Sequence, residues 1–408
     1  MANQIAVTQL VGNTMLAEFA TNNSLLLTGA RTYESDFQMS EYRIGDTLSI
    51  RRQNNFIVND GRVGVLQDQI DRTESLTIAH QLNVMVEYSS RELTLFVDTG
   101  QGPFNERTIR PAIQAISKRA ETLIAQAALT QLNYTSGSTT TPVNSFGVVD
   151  LVYAKMLEQA IQINNDGYMA LSPRQGSALK AANQNAFNDT LNEDISFASS
   201  LGHYSVFDIF QNQSIPFQTP GVGAAGAVVA APVASGASTI SLSGLGASVV
   251  GVYRAGDIIH FDSVNSVNPI DLIDTGQLMD FVVQADVNST AGGLGNVTVY
   301  PPIISDPGSP YRNVSIPVTA GMPVTLEGTA RYRVNLAYAP RGLDIVIPPM
   351  EVLNNVDTSV VTDKDLNISL RVERQGMIQN DVNVLRIDML FGFKWHPDYA
   401  VRLHSNAQ

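Results

Sequence analysis

The segment Gly221-Val222-Gly223-Ala224-Ala225-Gly226 has the spacing of a dinucleotide-binding glycine fingerprint. Such a loop works when a strand precedes it and a helix N-terminus follows, so that backbone N–H groups face a pyrophosphate. Here Pro220 precedes it, Pro232 follows soon after, and the next acidic residue is Asp257. The segment reads as a flexible linker. The five histidines, His80, His203, His260, His396 and His404, form no metal-binding pair. They read as surface or structural side chains. Asp271, Asp274, Asp280 and Asp286 lie close together but lack calcium-loop spacing. They read as solvated loop charges. No nucleophile elbow and no phosphate-binding GxxxxGK[ST] loop occurs, and Asn-x-Ser/Thr triplets such as Asn133-Tyr134-Thr135 carry no weight without a secretion signal. Arg51-Arg52 is an isolated basic pair, not the basic aromatic strip of a nucleic-acid binder. The expectation is no catalytic residue, no cofactor and no metal: a protein that is not an enzyme.

Composition narrows the class. The chain has 408 residues, long enough for two or three domains. Hydrophobic residues make up 44% and charged residues 15%, which argues against disorder. So low a charged fraction fits either neutral polar loops on a β-rich domain or a surface hidden in subunit contacts. The net charge of −13 disfavours phosphate binding but not a container for DNA. With no cysteine there is no disulfide and no thiolate metal site, which fits a reducing cytoplasm. The start, MANQIAVTQL, lacks the basic and apolar regions of a signal peptide. Residues 209–253 carry no charge, but Pro216, Pro220 and Pro232 break them, so no membrane span is expected.

The elements follow from periodicity. Residues 1–35 suggest a short helix or an extended arm. Within 41–98, Leu48, Ile50, Phe56, Val58, Val63 and Val65 have strand spacing, Asn59-Asp60-Gly61 is a turn, and Leu82, Val84 and Val86 alternate in a second run. The pattern predicts a long β-hairpin with an adjoining strand. Over 105–132, Ile109, Ile113, Ile116, Ala120, Leu123, Ile124, Ala127 and Leu132 recur at helical steps, with Asn105 or Thr108 as cap and Pro111 in the first turn. Such a helix is about 40 Å long at 1.5 Å per residue, a structural spine.

A Ser/Thr-rich linker at 134–145 precedes a second helix with Val149, Val152, Met156, Ala160 and Ile163 on one face. A short strand spans Tyr168–Leu171, and Ser172-Pro173 opens a third helix. Residues 219–328 change character: short β-like runs at Thr239–Leu242, Asp257–Phe261, Phe281–Gln284, Val297–Tyr300 and Pro323–Leu326 suggest a small barrel or sandwich. Longer strands return at Asp344–Ile347, Asn367–Val372 and Val384–Phe393. This is the pattern of one domain inserted into another.

That order of elements resembles the HK97-type coat fold, and within it the P22-like coat proteins of tailed bacteriophages with their inserted β-barrel. Gly102–Leu132 is similar to the family's spine helix. Asn165–Pro173 (NDGYMALSP), with Val206-Phe207-Asp208 and Ser214-Ile215-Pro216, resembles the start of the axial domain. Ser238–Phe261 resembles the opening of the insertion, and Arg386–Leu403, with its Trp395-His396-Pro397 break, the closing segment. The family's insertion carries a charged loop that pairs with a neighbouring capsomer, whereas residues 221–237 here carry no charge.

The resemblance implies an α+β fold with these parts: an N-terminal arm (1–38), an E-loop hairpin with peripheral-domain strands (39–100), the spine helix (101–145), the first part of the axial domain (146–218), an inserted β-barrel (219–328), and the return to axial and peripheral strands (329–408). It implies a major capsid protein, located in the virion capsid and assembled in the host bacterial cytoplasm. The implied partners are further copies in hexamers and pentamers, a scaffolding protein and a portal protein, with decoration proteins left open. The shell would enclose double-stranded DNA without reading its sequence, would expand on packaging, and would bind no membrane. A subunit interface is expected on the hairpin at Arg51, Arg52, Phe56, Asn59, Asp60, Gly61 and Arg62. The competing readings are a tail-tube or decoration protein, against which the long helix and α/β middle argue, and an encapsulin-like shell, which would not normally carry the insertion.

Overall fold

The computed structural model describes residues 24–31, 47–58, 60, 62, 64, 66–67, 72–89, 110–182, 200–354, 356–363 and 368–407. Two compact units divide the chain. The described residues of Met1–Ile50, Thr73–Ile124 and Leu343–Lys394 make one; Arg51–Arg72, Ala125–Gly342 and Trp395–Gln408 make the other.

In the first unit, the long strand Val382–Trp395 pairs antiparallel with Ile368–Met377 on one side and with His80–Ser89 on the other. Strand Asp357–Asp363 extends the sheet at one edge. The alternation at Leu82, Val84 and Val86 appears as expected: these residues are half-buried while Gln81, Asn83, Met85 and Glu87 are exposed. Strand Thr47–Arg51 pairs with Thr73–Thr77, and Ile50, Leu76 and Val346 pack together. A short helix, Ser24–Thr28, buries Leu25 and Leu26, and the Leu25 N–H donates to the buried Glu121 carboxylate at 3.1 Å. Lys118 pairs with the same carboxylate at 3.0 Å. Across two neighbouring strands, Arg371 holds its register partner Asp388 at 2.7 Å, and Arg386 reaches the other Asp388 oxygen at 2.9 Å.

The long helix runs Arg110–Gln131, 22 residues, with Pro111 in its first turn as expected. Its proposed caps Asn105 and Thr108 lie outside the described residues.

In the second unit, a mixed sheet runs in the order Thr135–Gly137, Ala400–Asn406, Tyr332–Tyr338, Gly167–Leu171, Phe207–Gln211, Ser200–Tyr204, with Phe217–Gln218 pairing beside Tyr332 and Arg333. Its centre joins strands from both sides of residues 219–328: Tyr332–Tyr338 lies between Gly167–Leu171 and Ala400–Asn406. Helices Phe146–Glu158 and Pro173–Ala182 belong to this unit, and the first buries Val149, Val152 and Met156 in its core. That helix ends earlier than its periodicity suggests. Ala160 has a left-handed φ of 56°, so Ala160 and Ile163 fall outside it. The Ser/Thr linker also holds an unexpected strand, Thr135–Gly137, parallel to Ala400–Asn406.

Residues 219–328 form a six-stranded antiparallel sheet, ordered Val324–Leu326, Ile258–Phe261, Phe281–Val283, Gly295–Ile303, Ala237–Ser243, Val228–Val229. Its outermost strands meet each other: Val229 N–H donates to Met322 O and Val324 N–H to Ala227 O, both at 2.9 Å. Val252, Tyr253, Ile259, Phe261, Phe281 and Val297 fill the interior. A separate hairpin pairs Asn265–Val267 with Asp274–Leu278.

Candidate functional site

Two groups of residues stand out: the expected interface segment, and a buried polar cluster that the sequence did not reveal.

The interface segment leaves the strand Thr47–Arg51 and returns near Arg72, where the Arg52 N–H donates to Arg72 O at 2.9 Å. Arg51 is exposed, and Arg52 pairs with Asp398. Phe56 is 56% exposed, Val58 92% and Leu66 100%, and Asp60 and Arg62 are also exposed. Asn59, Gly61, Val63 and Val65 lie outside the described residues. The described residues 52–58 are not the strand that Phe56 and Val58 suggested. Gln67 explains this locally: its side-chain amide accepts from the Ile57 N–H at 2.8 Å and donates to the Ile57 carbonyl. A side chain thereby takes the groups a partner strand would bind. Asn54 and Asn55 hold the segment to the rest of the second unit, accepting from the Tyr311 hydroxyl at 3.3 Å and donating to Pro269 O at 3.4 Å.

The buried cluster lies wholly in the second unit. Asp280, expected as a solvated charge, is 4% exposed. It accepts from His260 Nε2 at 2.8 Å and from the Thr135 N–H at 2.9 Å, with Lys155 Nζ 3.2 Å away. Beside it, Glu327 accepts from His404 Nδ1 at 2.8 Å and from the Thr135 hydroxyl at 3.4 Å. Asp257 accepts three donors: Gln218 Nε2 at 2.7 Å, Arg254 N–H at 2.8 Å and Gly221 N–H at 2.9 Å. Arg402, fully buried, donates to Leu129 O at 3.1 Å, Leu132 O at 3.3 Å and Gly256 O at 3.0 Å. It so satisfies carbonyls at the C-terminal end of the long helix, where a cation is favoured.

Burial and pairing compete at each of these groups. Burial raises the Asp280 proton affinity, but the His260 hydrogen bond and the Lys155 charge outweigh it and leave the carboxyl below its usual range. Burial works against the His260 cation, yet the Asp280 hydrogen bond and charge, with Glu327, lift the imidazole above its ordinary value. Glu327 is likewise held low against burial by His404. At Asp257 burial wins over its three donors and its pKa is raised. Desolvation also pushes the Tyr332 hydroxyl up and lowers Arg402.

Chemically this is a cross-brace. Its polar groups bind one another and the backbone, and they link elements on both sides of residues 219–328: Thr135, Lys155 and Arg402 outside, Asp257, His260 and Asp280 inside. Gln159 to Ser266 (3.0 Å) and Asn268 to Glu158 O (2.9 Å) add further ties. Among the described residues, no group of three or more His, Cys, Asp or Glu is placed to hold a metal ion.

The glycine fingerprint is also structural. The N–H groups of Gly221, Val222 and Gly223 are committed to Asp257, Gly251 O and Val252 O, and the motif leads to the strand Val228–Val229, not to a helix. Gly221 is required by close approach, since a Cβ there would lie 2.3 Å from Val252 O. Of the remaining histidines, His80 stacks on Phe393, and the exposed His203 bridges Asp208 and Asn165.

A family model described as P22 coat protein, gene protein 5, matches residues 38–401. No curated protein matches the chain. Among solved structures, the chain is similar to one described as Mycobacterium phage Che8, at 10% identity and TM-score 0.48, covering 93% of this chain and 90% of that one. It is similar to the capsid of Ralstonia phage GP4, at 9% identity and TM-score 0.44 over 94% and 87% of the two chains. A virus-like particle from Pyrococcus furiosus gives 11% identity and TM-score 0.40 over 97% and 98%. Matched by that family model over most of its length, this chain belongs to the P22 coat protein family.

Proposed function

We propose that this chain is the major capsid protein of a tailed bacteriophage and builds the icosahedral shell around its double-stranded DNA. The observation that carries the reading is the family match over residues 38–401. Shell building needs heterologous contacts that curve and close. The loop bearing Arg51, Phe56, Asp60 and Arg62 supplies exposed apolar and charged side chains for one such contact. The six-stranded sheet, its outer strands joined by hydrogen bonds, serves as the inserted β-barrel, and the interrupted mixed sheet as the axial domain. Scaffolding and portal proteins are the further partners, assembly takes place in the host cytoplasm, and the shell expands on packaging.

Sedimentation of the full chain, co-expressed with its scaffolding protein, tests this reading. Fast-sedimenting particles rich in the chain are expected. A chain that stays in the slow fraction at every concentration and salt would sink it.

A further inference from the structure

Arg331 and Arg333 flank one aromatic ring. Their guanidinium carbons lie 3.7 and 3.4 Å from the Phe217 ring centroid. Two guanidiniums this close would overlap on one face, so they lie on opposite faces. The strand register explains the arrangement: Arg333 pairs with Phe217 in the sheet, and Arg331 stands two residues earlier on the same side. Arg333 also donates to Ile215 O at 2.9 Å, and its Nε is buried without a hydrogen-bond partner. Arg174, in the first turn of helix Pro173–Ala182, is near enough for its charge to act on Arg333. Burial, then the charges of Arg331 and Arg174, lower the Arg333 proton affinity, so the three cations feel one another.

We propose that Arg174, Arg331 and Arg333 form an ionic docking surface for carboxylates of a second copy of this chain. Among the described residues no carboxylate pairs with any of the three, whereas Arg52, Lys118, Lys155, Arg371 and Arg386 each have one. Like charges are held together here by Phe217 and the sheet, which fixes their positions before anything binds. Arg174 and Arg331 are exposed. The complement is the chain itself, with 38 acidic against 25 basic residues. Nucleic acid is the weaker candidate. The net charge of −13 repels it, and three cations neutralise few phosphates. A shell, by contrast, presents acidic copies at high effective concentration.

The inference rests on the shell-building reading, and wild-type assembly is therefore measured alongside. Arg174→Glu/Arg331→Glu changes the two exposed arginines and leaves the half-buried Arg333 in place. The full-length double variant is expected to keep the wild-type circular dichroism and melting profile and to lose at least tenfold in shell yield. Wild-type yield should fall as salt rises from about 0.05 to 0.5 M, while the variant responds little. Should the charge reversal not fold, Arg174→Gln/Arg331→Gln serves for the same comparison. Separately, Arg331→Lys places an amine at the site for zero-length carbodiimide crosslinking in shells of mixed isotopic composition. Crosslinks from that lysine to Asp or Glu of another copy are expected. A folded variant that assembles at wild-type yield overturns the inference, as do crosslinks confined to one copy. Loss of duplex DNA binding with assembly intact would assign the surface to nucleic acid instead. If the wild type forms no shells, the shell-building reading itself fails.

Discussion

His260 donates to Asp280 at 2.8 Å inside the second unit, with Lys155 3.2 Å from the other carboxylate oxygen. One residue of that trio lies on a helix before the insertion and two lie within it. The brace is therefore as much a constraint on how residues 219–328 sit against the mixed sheet as a source of stability.

Removing the anion isolates its cation. Asp280→Asn leaves Lys155, at 11% side-chain exposure, without its partner. A loss of about 3–5 kcal/mol is expected, the usual effect of breaking a buried pair from one side. Lys155→Met in the Asp280→Asn background should recover part of it. Urea unfolding of the full chain measures both; equal stability of Asp280→Asn and wild type would contradict the brace.

The cluster also sets a pH profile. Asp280 and Glu327 are held below their ordinary values of 3.8 and 4.5, so their contribution is present above those values and fades as pH falls through the depressed ones. His260 is raised above 6.5, so its contribution is full below 6.5 and fades as pH rises through the raised value. Asp257 is raised above 3.8, so its contribution is likewise full below 3.8 and lost as pH rises through the raised value. Melting temperature should be highest between the acid limb and the His260 limb. His260→Gln should flatten the upper limb and also weaken the acid limb, because the His260 hydrogen bond and charge help hold Asp280 low. An unchanged upper limb in that variant would contradict the assignment.

Arg402 closes the end of the long helix. Arg402→Met removes its bonds to Leu129, Leu132 and Gly256 carbonyls. With buried carbonyls left unsatisfied, a cost on the order of 1–3 kcal/mol per group is expected. Hydrogen exchange should quicken first at the helix end near Leu132. Uniform exchange along the helix would point to a general loss of stability instead.

Gly221 answers the glycine motif directly. Gly221→Ala should cost about 1–3 kcal/mol through overpacking against Val252 O. Gly226→Ala, whose Cβ would come no nearer than 3.7 Å to Gly244 O, should be tolerated. Equal melting temperatures for the two variants would contradict the close-approach explanation.

The sequence made the regular elements readable where periodicity was strong: the helix Arg110–Gln131, the strand His80–Ser89, and the short strands of residues 219–328. Strands Tyr332–Tyr338 and Ala400–Asn406 went unseen, although they form the centre of the mixed sheet. Both are buried along nearly their whole length, polar positions Asn335, Arg402 and His404 included, so they are not the continuous apolar runs that mark a strand covered on both faces. The cross-brace was invisible for another reason. His404 and Glu327 are 77 positions apart, and His260 and Asp280 are 20 apart, with nothing local to pair them. Asp280 looked like its solvated neighbours because burial is a tertiary property. Gln67 was equally silent about displacing a strand at Ile57.

Electron cryomicroscopy of particles from cells co-expressing this chain with the proposed scaffolding protein tests the central claim most directly. Closed hollow shells of uniform diameter, with icosahedral symmetry and this chain at every lattice position, are the expected result. Monomers or small fixed oligomers alone, under all conditions in which the chain is folded, would contradict it.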